Sequence, residues 1–177
     1  MSDYRNFDQL KTNELFITRY KWFKPYYELS DGQFIYGKLY YKNRFSRRAT
    51  IETAEGSWTV RCKGWFKRSS LINKGVDETI GTLTPAKWNR NIDLQMDNGF
   101  KAFFNYKKLF SMTFVLTHEM YGDIFAIKQK AFSIKKPYFI TFDQTLQISD
   151  RPPLPLLILI GVNAMLKRQE QAAAATS

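Results

Sequence analysis

Cysteine and histidine each occur once in this chain, and Asp plus Glu number 16 against 27 Lys plus Arg. Cys62 alone cannot build an internal disulfide framework, and its isolation fits a reducing, cytoplasmic compartment. His118 alone cannot anchor a histidine-rich metal site, so its expected role is structural or at the surface. The stretch from Met1 to Lys11 is polar and lacks the apolar core of a secretory signal. There is no phosphate-binding loop, dinucleotide glycine fingerprint or nucleophile elbow, and the sequence asks for no cofactor and no metal. Asp31, Asp97 and Asp123 fall at turn tips, where aspartate serves ordinary turn chemistry. Together these absences turn the reading away from an enzyme.

Long apolar runs are scarce too. The one that stands out, Leu154 to Leu166, is about 13 residues, roughly 20 Å as a helix against the ~30 Å core of a bilayer. Pro155 and Asn163 weaken a membrane reading further, so no transmembrane span is expected. Leu156 to Ile160 are all large and apolar, and in a helix they point in every direction around the axis. A helix with no polar face must be enclosed by protein. Lys167 and Arg168 suit the dipole at its C-terminal end, and the tail from Gln169 is expected to fray.

The abundant residues supply the enclosure. Aromatics reach 16% and concentrate in short segments that suit a pleated, half-buried surface. Turn signals at Ser30-Asp31-Gly32, Glu55-Gly56, Asn98-Gly99 and Gly122-Asp123, with Gly75 or Gly81 between, recur at intervals of about two strands. That spacing predicts an antiparallel meander of about ten to twelve strands. Leu15 to Phe23, Tyr26 to Leu29, Gln33 to Tyr41, Ser111 to Thr117, Asp123 to Phe132 and Tyr138 to Phe142 read as members of it.

Two hairpins can be set in register. A two-residue Glu55-Gly56 loop sets Thr53 against Trp58, Ile51 against Val60 and Ala49 against Cys62 on the apolar face. The outer face then pairs Glu52 with Thr59, Thr50 with Arg61 and Arg48 with Lys63. A three-residue Asp97-Asn98-Gly99 loop pairs Met96 with Phe100, Leu94 with Ala102 and Ile92 with Phe104, leaving Phe103 outside beside Lys101. The fold class that follows is mainly β: a closed antiparallel β-barrel of about 12 strands enclosing a C-terminal hydrophobic α-helix. A single domain is expected over 1–177, with its ordered core at about 14–170 and the central helix at about 154–168.

The strand–turn–strand units around Ser30-Asp31-Gly32, Glu55-Gly56-Ser57-Trp58 and Asp97-Asn98-Gly99-Phe100, followed by the run Leu154 to Leu166, carry a family likeness. A meander of this length ending in a helix that threads its barrel resembles the tubby C-terminal-like superfamily. The short form resembles its LURP-one-related and phospholipid-scramblase-like branch. The likeness spans about Leu15 to Arg168 and is architectural. It implies association with phosphoinositides or other membrane phospholipids. The basic phosphoinositide-binding residues of tubby match no motif in this chain, and none is carried over.

A formal net charge of +11 favours an anionic partner. Lys42, Arg44, Arg47 and Arg48 lead into one strand, and Arg61, Lys63, Lys67 and Arg68 follow on its partner, with Phe45, Trp65 and Phe66 among them. Like charges facing across strands cost roughly 0.2–1 kcal/mol, which an anionic ligand would relieve. Bases with interleaved aromatics suit a membrane interface, at about 1 kcal/mol per Lys or Arg, or single-stranded nucleic acid stacked on the rings. The leading reading is a non-enzymatic module docking on anionic phospholipid or phosphoinositide headgroups, peripheral at a membrane. Nucleic-acid binding by the same face comes second, and a protein-interaction scaffold without a small ligand is a further alternative. A lipocalin-like carrier ranks last, because the helix takes the lumen it needs. The plain counter-reading is a solvated basic rim that keeps the chain soluble, with its aromatics turned inward. Nothing argues for an oligomer, so a monomer is the default.

Overall fold

The fold is described from a computed structural model, over residues 4–21, 24–42, 48–63, 69–75, 77–86, 90–107, 113–130, 135 and 137–176. Six strands make up the first half: β1 (Glu14–Tyr20), β2 (Tyr26–Ser30), β3 (Ile35–Tyr41), β4 (Arg48–Thr53), β5 (Gly56–Cys62) and β6 (Ser70–Lys74). Six more follow: β7 (Glu78–Pro85), β8 (Ile92–Met96), β9 (Lys101–Tyr106), β10 (Thr113–His118), β11 (Gly122–Gln129) and β12 (Tyr138–Phe142). Each pairs antiparallel with its neighbours in sequence, and β1 pairs with β12 through Glu14↔Thr141 to Ile17↔Tyr138, closing the barrel. Closure satisfies the two edges that an open meander would leave exposed.

The long helix α1 (Leu154–Thr176) fills that barrel. Every residue from Leu154 to Met165 is buried. The walls reach the helix from several sides. A Cβ added to Gly37 on β3 would lie 2.9 Å from Leu159 Cδ1, and one added to Gly161 would lie 2.8 Å from Phe104 of β9 and 3.0 Å from Ile127 of β11. Proline-rich entry suits the first turn, where amide N–H groups have no intrahelical partner. The first N–H that needs one, on Leu157, donates to the Pro153 carbonyl at 3.1 Å. The helix runs on to Thr176 instead of ending near 168 and fraying from Gln169. Ala172 to Ala175 are strong helix formers, and Gln169 is tied to Gln129 and Tyr138 of the wall.

Strand ends depart from the sequence pattern where local chemistry stops pairing. β1 ends at Tyr20 because Lys21 takes φ +56°, and the expected extension to Phe23 falls outside the described residues. β3 starts at Ile35 because the Gln33 and Phe34 amides both donate to Asp31 Oδ1, each at 2.8 Å. Gly75 (φ +60°) makes the middle turn, whereas Gly81 sits inside β7. The β8–β9 hairpin has the expected pairing, with Ile92↔Phe104 and Leu94↔Ala102, and Gly99 at φ +92°.

The β4–β5 hairpin corrects the expected register. Its loop is Ala54-Glu55, and Thr53 pairs with Gly56, Ile51 with Trp58, Ala49 with Val60 and Arg48 with Arg61. Thr53 Oγ1 accepts the Glu55 amide at 3.1 Å and bonds the Glu55 carboxylate, which tightens the turn one residue earlier. Gly56 supplies a positive φ of 147° as the first residue of the strand instead of within the loop. The shift moves each partner by two residues, so both faces keep their side chains.

Up-and-down connectivity sorts the links between strands onto two ends of the barrel. Links 31–34, 54–55, 75–77, 97–100, 119–121 and 143–153 share one end, where α1 enters. Links 21–25, 42–47, 63–69, 86–91, 107–112 and 130–137 share the other, where α1 leaves.

A candidate anion-binding face on the barrel

Arg48 opens β4 and Arg61 lies next to the end of β5. Their neighbours Ala49 and Val60 are fully buried in the core, so alternation turns both arginines to the outer face. Register sets them opposite each other, Arg48 with Arg61. The expected Arg48–Lys63 pair is therefore replaced by two guanidinium groups, and Lys63 lies just beyond the strand. Arg48 is exposed and Arg61 half-buried. The Nε of Arg61 and the Oγ1 of Thr59, next in the same outward row, are buried without a hydrogen-bond partner. Two cations and an unpaired hydroxyl thus converge on one stretch of sheet. Anion oxygens accept hydrogen bonds from donors of these kinds.

Lys42 and Lys63 are exposed at the same end of these strands. The Lys63 amide donates to the Ser69 carbonyl at 2.8 Å, holding the β5–β6 link at its base. Arg44, Arg47, Lys67 and Arg68, with Phe45, Trp65 and Phe66, lie outside the described residues. Further along the same outer face Glu52 is already engaged: Tyr4 donates to Oε2 at 2.9 Å and Tyr40 to Oε1 at 2.7 Å. Burial, then the bond to that carboxylate, pushes both phenols above their ordinary pKa.

Residues at the helix exit, read in the sequence only as dipole complements, belong to the same end. Lys167 Nζ donates to Cys62 Sγ at 3.5 Å, which puts Cys62 on the inward face as expected but half-buried at the mouth. Arg168 donates to the Arg90 carbonyl and stands 5.8 Å from the Tyr106 and Phe114 ring centres. Burial lowers its pKa from the usual arginine value. Four tyrosines, Tyr27, Tyr41, Tyr106 and Tyr138, line the exit from the wall, and burial raises the pKa of each.

Elsewhere the chemistry is structural. His118 Nδ1 accepts the Met120 amide at 3.1 Å, and its ring packs against Phe100 and Tyr121. Among the described residues, no three His, Cys, Asp or Glu side chains gather where they could hold a metal ion. A cleft of about 210 Å³ opens at the helix-entry end, lined by Phe7, Leu10, Phe142, Arg151 and Leu154 among others. The barrel interior itself is occupied by the helix. No described helix is long and apolar enough to cross a membrane. No family model, curated protein or solved structure matches the chain.

Proposed function

We propose that this protein is a non-enzymatic module that docks on anionic phospholipid or phosphoinositide headgroups, peripherally at a cytoplasmic membrane surface. The observation that carries the reading is the Arg48–Arg61 pair, two guanidinium groups directly opposed on the outer face of one hairpin. Two planar guanidinium groups side by side suit a phosphate, which accepts charge-assisted hydrogen bonds from such donors. The unpaired Thr59 hydroxyl beside them supports the same ligand chemistry. A barrel closed around a hydrophobic helix is also the architecture that the resemblance to the tubby-like superfamily calls for, and lipid association is what that resemblance implies.

Vesicle sedimentation tests the proposal. Phosphatidylcholine vesicles carrying phosphatidylserine or a phosphoinositide should pull the protein down at low salt, and phosphatidylcholine alone should not. Arg48→Ala should weaken binding about five-fold, the equivalent of ~1 kcal/mol per base near the surface. Failure to bind either kind of vesicle would sink the reading. Retention of RNA on a filter without vesicle binding would transfer the face to nucleic acid, with a steep loss of affinity in salt.

A further inference from the structure

The two ends of the barrel carry opposite charge. Among the described residues, the six links at the helix-exit end hold eight lysines and arginines and no aspartate or glutamate. Each link contributes at least one exposed cation: Lys21, Lys42, Lys63, Arg90, Lys107 and Lys130. Lys107 is ion-paired at 2.6 Å with Asp123 of β11, and both partners remain substantially exposed. At the helix-entry end the six links hold seven acidic residues and one basic residue, Arg151. Strand direction alone produces this sorting, since the basic and acidic links alternate along the chain.

We infer that the whole basic end of the barrel is the docking surface, and that it meets an anionic lipid surface end-on, with the barrel axis along the membrane normal. This rests on the lipid-docking reading and extends it from one hairpin to a ring. Twelve strands at about 4.8 Å give a ring about 18 Å across, which strand tilt widens. That exceeds the ~8–10 Å Debye length, so no single headgroup or free phosphate can engage opposite sides together. A nucleic-acid strand follows a linear groove, whereas cations distributed around a circle fit a plane of many headgroups. Side-on docking along β4–β5 would also bring Glu52 and Glu55 to the surface. End-on docking turns the acidic links away from the surface, with the strands between. Past Gln169 the helix is exposed over residues 170–175, which include one acid, Glu170, and the uncharged run Ala172 to Ala175.

Lysine footprinting of the intact chain tests the orientation. The protein is acetylated with an amine-reactive ester, free and on phosphatidylcholine–phosphatidylserine vesicles, and each lysine is read by mass spectrometry. Lys21, Lys42, Lys63, Lys107 and Lys130 should lose reactivity several-fold on vesicles. Lys11, Lys74 and Lys101, at or near the acidic end, should keep theirs. Protection confined to Lys42 and Lys63 overturns the end-on ring while leaving the hairpin reading intact. Equal protection at both ends overturns it too. Absence of sedimentation in the same samples removes both readings, and ring protection by single-stranded RNA without vesicle binding assigns the ring to another partner.

Discussion

The Tyr41 hydroxyl donates to Oδ1 of Asn163 at 2.8 Å, joining β3 to the middle of the buried helix across 122 residues of chain. Asn163 is 1% exposed, and its amide is the polar group set within an otherwise apolar stretch of α1. A buried acceptor that loses its donor costs the desolvation of that group, about 1–3 kcal/mol. Tyr41→Phe should lower unfolding free energy by about that amount in urea titration. Adding Asn163→Leu should recover part of the loss, since replacing both partners by apolar groups leaves nothing unpaired. A double variant as costly as the sum of the singles would mean that the two groups act independently.

Two glycines set how closely the wall approaches the helix. Gly161→Ala would place a methyl 2.8 Å from a ring carbon of Phe104, which can rotate or shift slightly. Gly37→Ala would place one 2.9 Å from the Glu52 carbonyl oxygen and from Leu159 Cδ1 together. Overpacking typically costs about 1–3 kcal/mol, and backbone yields less readily than a side-chain end. Gly37→Ala should therefore be the more destabilising of the pair by thermal or urea unfolding. The reverse order would show that the helix is more tightly held at Phe104 than at the sheet backbone.

Much of this architecture is legible in the sequence. The all-round apolar run from Leu156 to Ile160 demands an enclosure, and a meander of about ten to twelve strands, twelve in the structure, provides it. Asp97-Asn98-Gly99 gave the right register because its glycine needs positive φ inside the loop. Glu55-Gly56 misled for a related reason: there the glycine uses its positive φ at the start of β5. Period-two alternation survives a two-residue slip, so the core was read correctly and the cross-strand charge partner was not. The polarity of the two ends was present as basic links recurring once per hairpin, at 21–25, 42–47, 63–69, 86–91, 107–112 and 130–137. Seeing it requires strand direction, because residues far apart in sequence share an end only after the meander is folded. The tyrosine collar at the exit was hidden for the same reason: its members come from β2, β3, β9 and β12.

That collar, with Tyr36, predicts an alkaline limit to stability. Burial, then neighbouring Tyr27, raises Tyr138 from 10.0 to about 12; burial, then the bond to Asp31, does the same to Tyr36. Tyr41 is raised as well, chiefly by burial. A group whose folded pKa lies above its unfolded value contributes stability fully below the unfolded pKa and loses it as pH rises through the folded one. Stability should hold up to about pH 10 and fall between about 10 and 12. Thermal unfolding across that range, with tyrosinate absorbance followed in parallel, reads both quantities. Full ionisation near pH 10 with an unchanged midpoint would mean that the exit is open to water.

Arg61 separates stability from binding. Its stem lies half-buried on the outer face while its Nε lacks a partner and its charge opposes Arg48. Arg61→Met keeps an aliphatic stem of similar reach and deletes the charge. With the opposed cation gone, unfolding free energy should stay level or rise by up to about 1 kcal/mol. Affinity for phosphatidylserine vesicles should fall about five-fold, the equivalent of ~1 kcal/mol per base near the surface. A residue kept for the fold would show the opposite pair of results, with stability lost and vesicle binding unchanged. Measuring both on one preparation decides whether the hairpin carries its charge for the sheet or for a ligand.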